Sequence, residues 1–242
     1  MESRPWLPYV VPFGIYALFL AIQSPQNLVW VYPLQATAVG ASLWILRKHY
    51  DELQSPMICE ARVSAGGATA GAAEPSATGA LALQSPSTKG TFALQSWILA
   101  VAVGLVVIAI WIGIDPYYPK LGSSAAFDAS GKWLFIVFRI AGAAVVVPLM
   151  EELFWRAFLI RWFIDLDFKR VPIGTFTWTS FAFTVGLFGL EHHEWLAGLI
   201  CGALYNWLYY KRKDVFACVV AHAVSNGALA AWVLARGQWK FW

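Results

Sequence analysis

The stretch VVVPLMEELFWRAFLIRWF, Val145 to Phe163, is apolar enough to lie in a bilayer, yet it holds two adjacent carboxylates, Glu151 and Glu152, and Arg156 one turn further on. A single charged residue at the centre of a membrane helix costs roughly 2.5–3.5 kcal/mol on insertion scales. On a helix, Glu152 and Arg156 stand at i,i+4 and share a face, so they can pair. Glu151 lies about 100° round the helix and faces elsewhere. One acid can thus be tied down while its neighbour faces a cavity, where a partly desolvated carboxyl suits proton transfer. The plainer explanation is a buried ion pair that fixes helix packing.

The rest of the chain supports the membrane reading. Of its 242 residues 59% are hydrophobic and 13% charged, against about 25% charged in a soluble domain. We expect an all-α, polytopic transmembrane helix bundle of about seven spans: Pro8–Ile22, Leu28–Leu46, Trp97–Ile114, Lys132–Ile164, Thr175–His192, Trp195–Tyr210 and Val215–Leu234. The fourth is too long for a hydrocarbon core of about 30 Å. Pro148 near its middle predicts a kink or break, with the motif helix starting just after it; a break that makes two crossings would raise the count to eight. The organisation reads as a two-span segment at 1–50, a low-complexity mobile loop at 51–96 (SAGGATAGAAEPSATGALA within it), a third span and interfacial connection at 97–131, the intramembrane bundle at 132–234 and a tail at 235–242.

Lys/Arg bias sets orientation. Alternating seven spans puts Arg4, Arg47, Lys48, Arg62, Lys89, Arg161, Lys169, Arg170 and Lys211–Lys213 on one side, and Lys120, Lys132, Arg236 and Lys240 on the other. The N-terminus is expected in the cytoplasm and the C-terminus outside. The net charge of +3 and the absence of a Lys/Arg run beyond three residues give no basic face for nucleic acid. Cys59, Cys201 and Cys218 are odd in number, which argues against a disulfide framework.

Two further polar clusters interrupt apolar sequence. TVGLFGLEHHEW, Thr184 to Trp195, brings Glu191, His192, His193 and Glu194 to the end of a span, with Phe188 one turn before His192. Spacing does not choose between His192 and His193, and a polar interfacial turn would read the same way. VVAHAVSNGALA, Val219 to Ala230, sets His222 and Asn226 at i,i+4 among small residues that permit close helix approach. Both can donate hydrogen bonds to a developing oxyanion, although an isolated pair would read as interhelical glue. Glu with His can polarise a water, so the three clusters together make a sufficient set for peptide hydrolysis without a covalent intermediate. There is no H-E-x-x-H and no G-x-S-x-G. A metal site on the EHHE turn stays open, as do a proton-coupled transporter and a non-catalytic scaffold.

The ordered trio E-E-x-x-x-R, F-x-x-x-H and H-x-x-x-N, between Lys132 and Leu234, resembles the CAAX-protease and bacteriocin-processing family of intramembrane glutamate proteases. The first half, with PYVVPFGIYALF and YDEL, is similar to the CAAX-protease-related branch that accompanies bacterial exosortase systems. The resemblance implies an integral protein of the bacterial inner membrane that cuts a membrane-associated protein or peptide, prenylated or marked by a C-terminal motif, with exosortase-system proteins as partners. It implies Glu151 as general base, His192 as water ligand, His222 and Asn226 as the oxyanion site, Glu152, Arg156 and Phe188 in support, and neither cofactor nor metal. Immunity-type binding proteins share the scaffold. Seven spans would put His192 near the outer end of a helix and His222 about eight residues from the cytoplasmic end of its own, so one segment is expected to dip or tilt.

Overall fold

The computed structural model describes residues 4–53, 86–122 and 127–242, with side chains from Trp97 onward in the second of these. Its described residues form seven helices and no strand: α1 (Leu7–Ile22), α2 (Leu28–Leu46), α3 (Pro86–Ile114), α4 (Trp133–Trp162), α5 (Trp178–Leu190), α6 (Trp195–Arg212) and α7 (Val215–Arg236). Leu28–His49, Trp97–Tyr117, Trp133–Trp162 and Val215–Arg236 are long and apolar enough to cross a membrane, and α1 and α5 are shorter apolar helices. Large apolar side chains such as Leu18, Ile45, Leu105 and Val145 stand on the outside, as a hydrocarbon solvent allows.

Three sequence expectations need correction. The helix does not break at Pro148: α4 runs continuously from Trp133 to Trp162. It absorbs the missing donor by widening into a π turn upstream, at Gly142–Val146, and has a second π turn at Leu153–Leu159, a feature frequent in helices at functional sites. The chain at 51–96 is also not loop throughout. Asp51–Leu53 is a 3-10 turn, and α3 begins at Pro86, where a proline in the first turn costs no hydrogen bond; the remainder of that loop lies outside the described residues. Lastly, α5 is only 13 residues long, roughly 20 Å. It is therefore shorter than the span expected over Thr175–His192 and than a hydrocarbon core of about 30 Å.

Local chemistry fixes these boundaries. Thr177 caps α5 by accepting from the Ser180 N–H, and Asp214 caps α7 by accepting from Phe216. Between α6 and α7 the chain turns through Lys213 in the left-handed region. Close approach of α5 and α6 depends on glycine: a Cβ on Gly189 would stand 2.5 Å from Leu199. On α3, a Cβ at Gly104 would come 2.4 Å from the Ala221 carbonyl of α7. α7 packs chiefly on α3, and α1 forms a hairpin with α2. Cys201 and Cys218 are buried free thiols; Cys59 lies outside the described residues.

Candidate active site

Glu152 is fully buried, and its Oε1 accepts from Arg156 Nη1 at 3.2 Å and from His222 Nδ1 at 2.9 Å. The first partner is the i,i+4 pair expected from the sequence; the second comes from α7. Arg156 spends its other donors on the Asn206 side chain (3.2 Å) and the Gly202 carbonyl (3.3 Å), both of α6. Asn206 in turn donates to Thr184 of α5 at 2.9 Å. One guanidinium thus pins three helices, and its charge is offset rather than left bare in a low dielectric.

Phe188 is the hub beside this network. The Arg156 guanidinium lies 4.7 Å from its ring centroid, and the rings of His192 and His222 lie at 4.8 and 6.3 Å. Gly202 leaves the room, since a Cβ there would press on Phe188 at 3.2 Å. His192 Nδ1 is 2.7 Å from the Phe188 carbonyl. A carbonyl only accepts, so Nδ1 carries the hydrogen and Nε2 is left for another partner. Trp111 of α3 packs edge-on against the same imidazole at 5.4 Å.

Asn226 owes its position to Pro148. In the π turn the Val147 N–H bonds to the Gly142 carbonyl, and the same register would pair Ala143 with residue 148, which is proline and has no N–H. Asn226 Nδ2 fills the gap, donating to the Ala143 carbonyl at 2.8 Å. Its second amide hydrogen remains available.

Glu151, His192, His222 and Asn226 all line one cavity of about 210 Å³. Glu151 is buried, and its Oε2, like that of Glu152, has no hydrogen-bond partner among the described residues. An orphaned buried carboxyl oxygen is costly and is what a site awaiting a water or substrate would hold. His193 does not line the cavity; its backbone carbonyl accepts from Leu121. The structure therefore gathers the four expected catalytic residues and their three supports, and separates the two histidines that spacing could not. Among the described residues no three His, Cys, Asp or Glu side chains are arranged to hold a metal ion.

Sequence reasoning missed several contributors. Tyr205 stacks on His222 at 5.1 Å and bonds Ser225 at 2.7 Å. Glu191, placed in the EHHE turn by the sequence but given no contact there, accepts from the Trp155 indole at 3.2 Å. A buried asparagine in an apolar helix was the available signal for Asn206; nothing local marks Tyr205.

No curated protein and no solved structure matches the chain. Residues 132–228 match the family model described as "Type II CAAX prenyl endopeptidase Rce1-like". That segment opens one residue before α4 and ends just past Asn226 on α7, so it contains Glu151, Glu152, Arg156, Phe188, His192, His222 and Asn226. Over the helices that carry the candidate site, the chain is similar to a family of prenyl endopeptidases.

Proposed function

We propose that the chain is an integral membrane endopeptidase of the glutamate type, acting on a membrane-associated protein or peptide near its C-terminus. The observation that carries this reading is the unpartnered Glu151 carboxyl oxygen in a cavity shared with His192, His222 and Asn226. Glu151 takes a proton from a water that His192 Nε2 helps to hold. The water oxygen attacks the scissile carbonyl carbon, and the resulting oxyanion accepts hydrogen bonds from His222 and from the second amide hydrogen of Asn226. As the C–N bond breaks, Glu151 returns the proton to the leaving amine. Glu152 Oε1 accepts from His222 Nδ1 and orients the ring, and Arg156 holds Glu152. No metal enters these steps.

The Lys/Arg bias supports a cytoplasmic N-terminus and an external C-terminus. The likeness of the first half to the exosortase-associated branch supports a substrate among surface proteins being sorted.

The test incubates the full chain in lipid with membrane-anchored and prenylated peptides, read by mass spectrometry with and without a chelator. Wild type is expected to release product irrespective of chelator, and Glu151→Gln and His222→Ala to lower it by about 10²- to 10⁴-fold. Chelator-sensitive cleavage would turn the reading to metal chemistry. A cellular phenotype unchanged by Glu151→Gln would make the chain a non-catalytic scaffold, and substrate flux tied to a proton gradient would make it a transporter.

A further inference from the structure

Part of the cavity wall comes from beyond the last helix. Phe241 and Trp242 line the same space of about 210 Å³ as Glu151, His192, His222 and Asn226. They belong to a short segment that folds back once α7 has ended. Gly237, in the left-handed region at φ 63°, closes α7 by donating its N–H to the Val233 carbonyl, and Trp239–Phe241 then makes a 3-10 turn. Every other described lining residue stands on α1 to α7 or in the turn between α5 and α6.

The segment bridges two sides of the bundle. On one side the Lys240 ammonium pairs with the Asp115 carboxylate, just past the end of α3. On the other, Trp239 and Trp242 pack against the buried cluster of Tyr32, Phe135 and Ile136, from α2 and α4. Phe241 and Trp242 are half-buried, whereas Glu151 and His222 deeper in the cavity are buried. Two features let this contact open at low cost. Lys120 holds the other Asp115 oxygen at 3.2 Å, so the acid keeps a cation when Lys240 leaves. The Lys240 side chain is itself half exposed, where an ion pair is weak and screened by salt.

The closed cavity is too small for a peptide. Pockets for drug-sized ligands run to about 300–1,000 Å³, and this one falls short of them. Some wall must move to admit a substrate, and 237–242 is the wall held by one ion pair and ring packing instead of by a transmembrane helix. We propose that 237–242 is a strap over the mouth of the cavity, latched by Lys240 on Asp115, that swings off on Gly237 to admit a ligand. The closure stands by itself; its control of cleavage rests on the protease reading above.

The test uses the full chain in lipid nanodiscs and the free thiol of Cys201, a buried residue of the cavity wall. A small sulfonated thiosulfonate reagent is added, and its rate of attachment to each cysteine is read by mass spectrometry of the digested chain. Cys218, buried but not in the cavity wall, reports any general loosening. Lys240→Glu turns the attraction to Asp115 into repulsion. It is expected to speed labelling of Cys201 about fivefold or more and to leave Cys218 unchanged, while Lys240→Arg keeps the wild-type rate. An unchanged Cys201 rate in Lys240→Glu, a Lys240→Arg variant as fast as Lys240→Glu, or equal acceleration at Cys218 overturns the proposal. Cleavage of the membrane-anchored and prenylated peptides by the same variants is expected to rise in step with labelling. Faster labelling without product from any variant leaves the strap standing and removes the protease; product formed at one rate by all of them does the reverse.

Discussion

Two carboxylates in this molecule are held in nearly the same way, and only one of them sits beside a buried carboxyl that faces a cavity. Glu152, at the centre, takes Arg156 and His222 on one oxygen. Glu52, in the 3-10 turn after α2, takes Arg161 at 2.7 Å and Lys169 at 2.8 Å on one oxygen and the Tyr9 hydroxyl at 2.7 Å on the other. Both clusters tie α4 to distant parts of the chain. At the rim Arg161, Lys169 and Tyr9 each spend a donor on the clamped carboxylate, and the buried Arg161 Nε has no partner among the described residues. At the centre the clamp frees its sequence neighbour: because Glu152 absorbs the cations, Glu151 keeps an unpartnered oxygen in the cavity. The ion pair itself is architecture in both places; on the proposed reading, the chemistry belongs to what stands next to it.

The largest contrast should follow from removing one arginine from each cluster. Arg156→Leu leaves Glu152 with His222 alone and strips Asn206 and the Gly202 carbonyl of a donor. We expect a loss of about 3–5 kcal/mol in stability, measured by reversible unfolding in mixed detergent micelles. Arg161→Leu leaves Glu52 with Lys169 and Tyr9 and should cost about 1–3 kcal/mol. Equal losses would mean that depth in the fold does not distinguish the two clusters.

This contrast also divides what could be read from the sequence. The central pair was legible because both partners lie on one helix at i,i+4, and the helix count followed from apolar runs. His222 as a second partner of Glu152 was not legible, since hydropathy does not say which faces of α4 and α7 meet. Nor was the rim: Glu52 and Arg161 are far apart in sequence and each looks like an ordinary loop charge. Pro148 was read as a break because local rules price the missing N–H but not its remedy, a π turn upstream and an amide from α7.

A smaller effect separates the clusters by pH. Burial opposes the charge on Glu52, but hydrogen bonds from Lys169 and Tyr9 outweigh it and hold its carboxyl below the ordinary range. A depressed folded-state value stabilises the fold fully above the unfolded carboxylate value of about 4.3, and that contribution is lost as pH falls through the folded value. Glu52→Gln should therefore cost about 1–3 kcal/mol at neutral pH and flatten the acid limb of the stability profile. Peptide cleavage at neutral pH should stay within about threefold of wild type. A cleavage loss as deep as that of Glu151→Gln would place the rim in the chemistry.

The smallest expected effect tests whether the two tyrosines that serve these clusters do the same job. Ser225 donates its only hydroxyl hydrogen to the His222 carbonyl at 2.8 Å, so Tyr205 must be the donor in their 2.7 Å contact. Tyr205→Phe removes that neutral bond but keeps the ring stacked on His222, so it should cost about 0.5–1.5 kcal/mol. Tyr9→Phe removes a donor to a charged acceptor and should cost about 1.5–3 kcal/mol, yet leave cleavage within about threefold. Tyr205→Leu deletes the stack on the His222 imidazole and, if His222 serves the proposed oxyanion site, should lower kcat well beyond its effect on KM. If Tyr205→Leu and Tyr9→Phe disturb only stability, and to the same degree, the stacking on His222 is packing like that at the rim. A kcat loss confined to Tyr205→Leu would show that the centre uses its aromatic ring for orientation, where the rim uses a hydroxyl for charge.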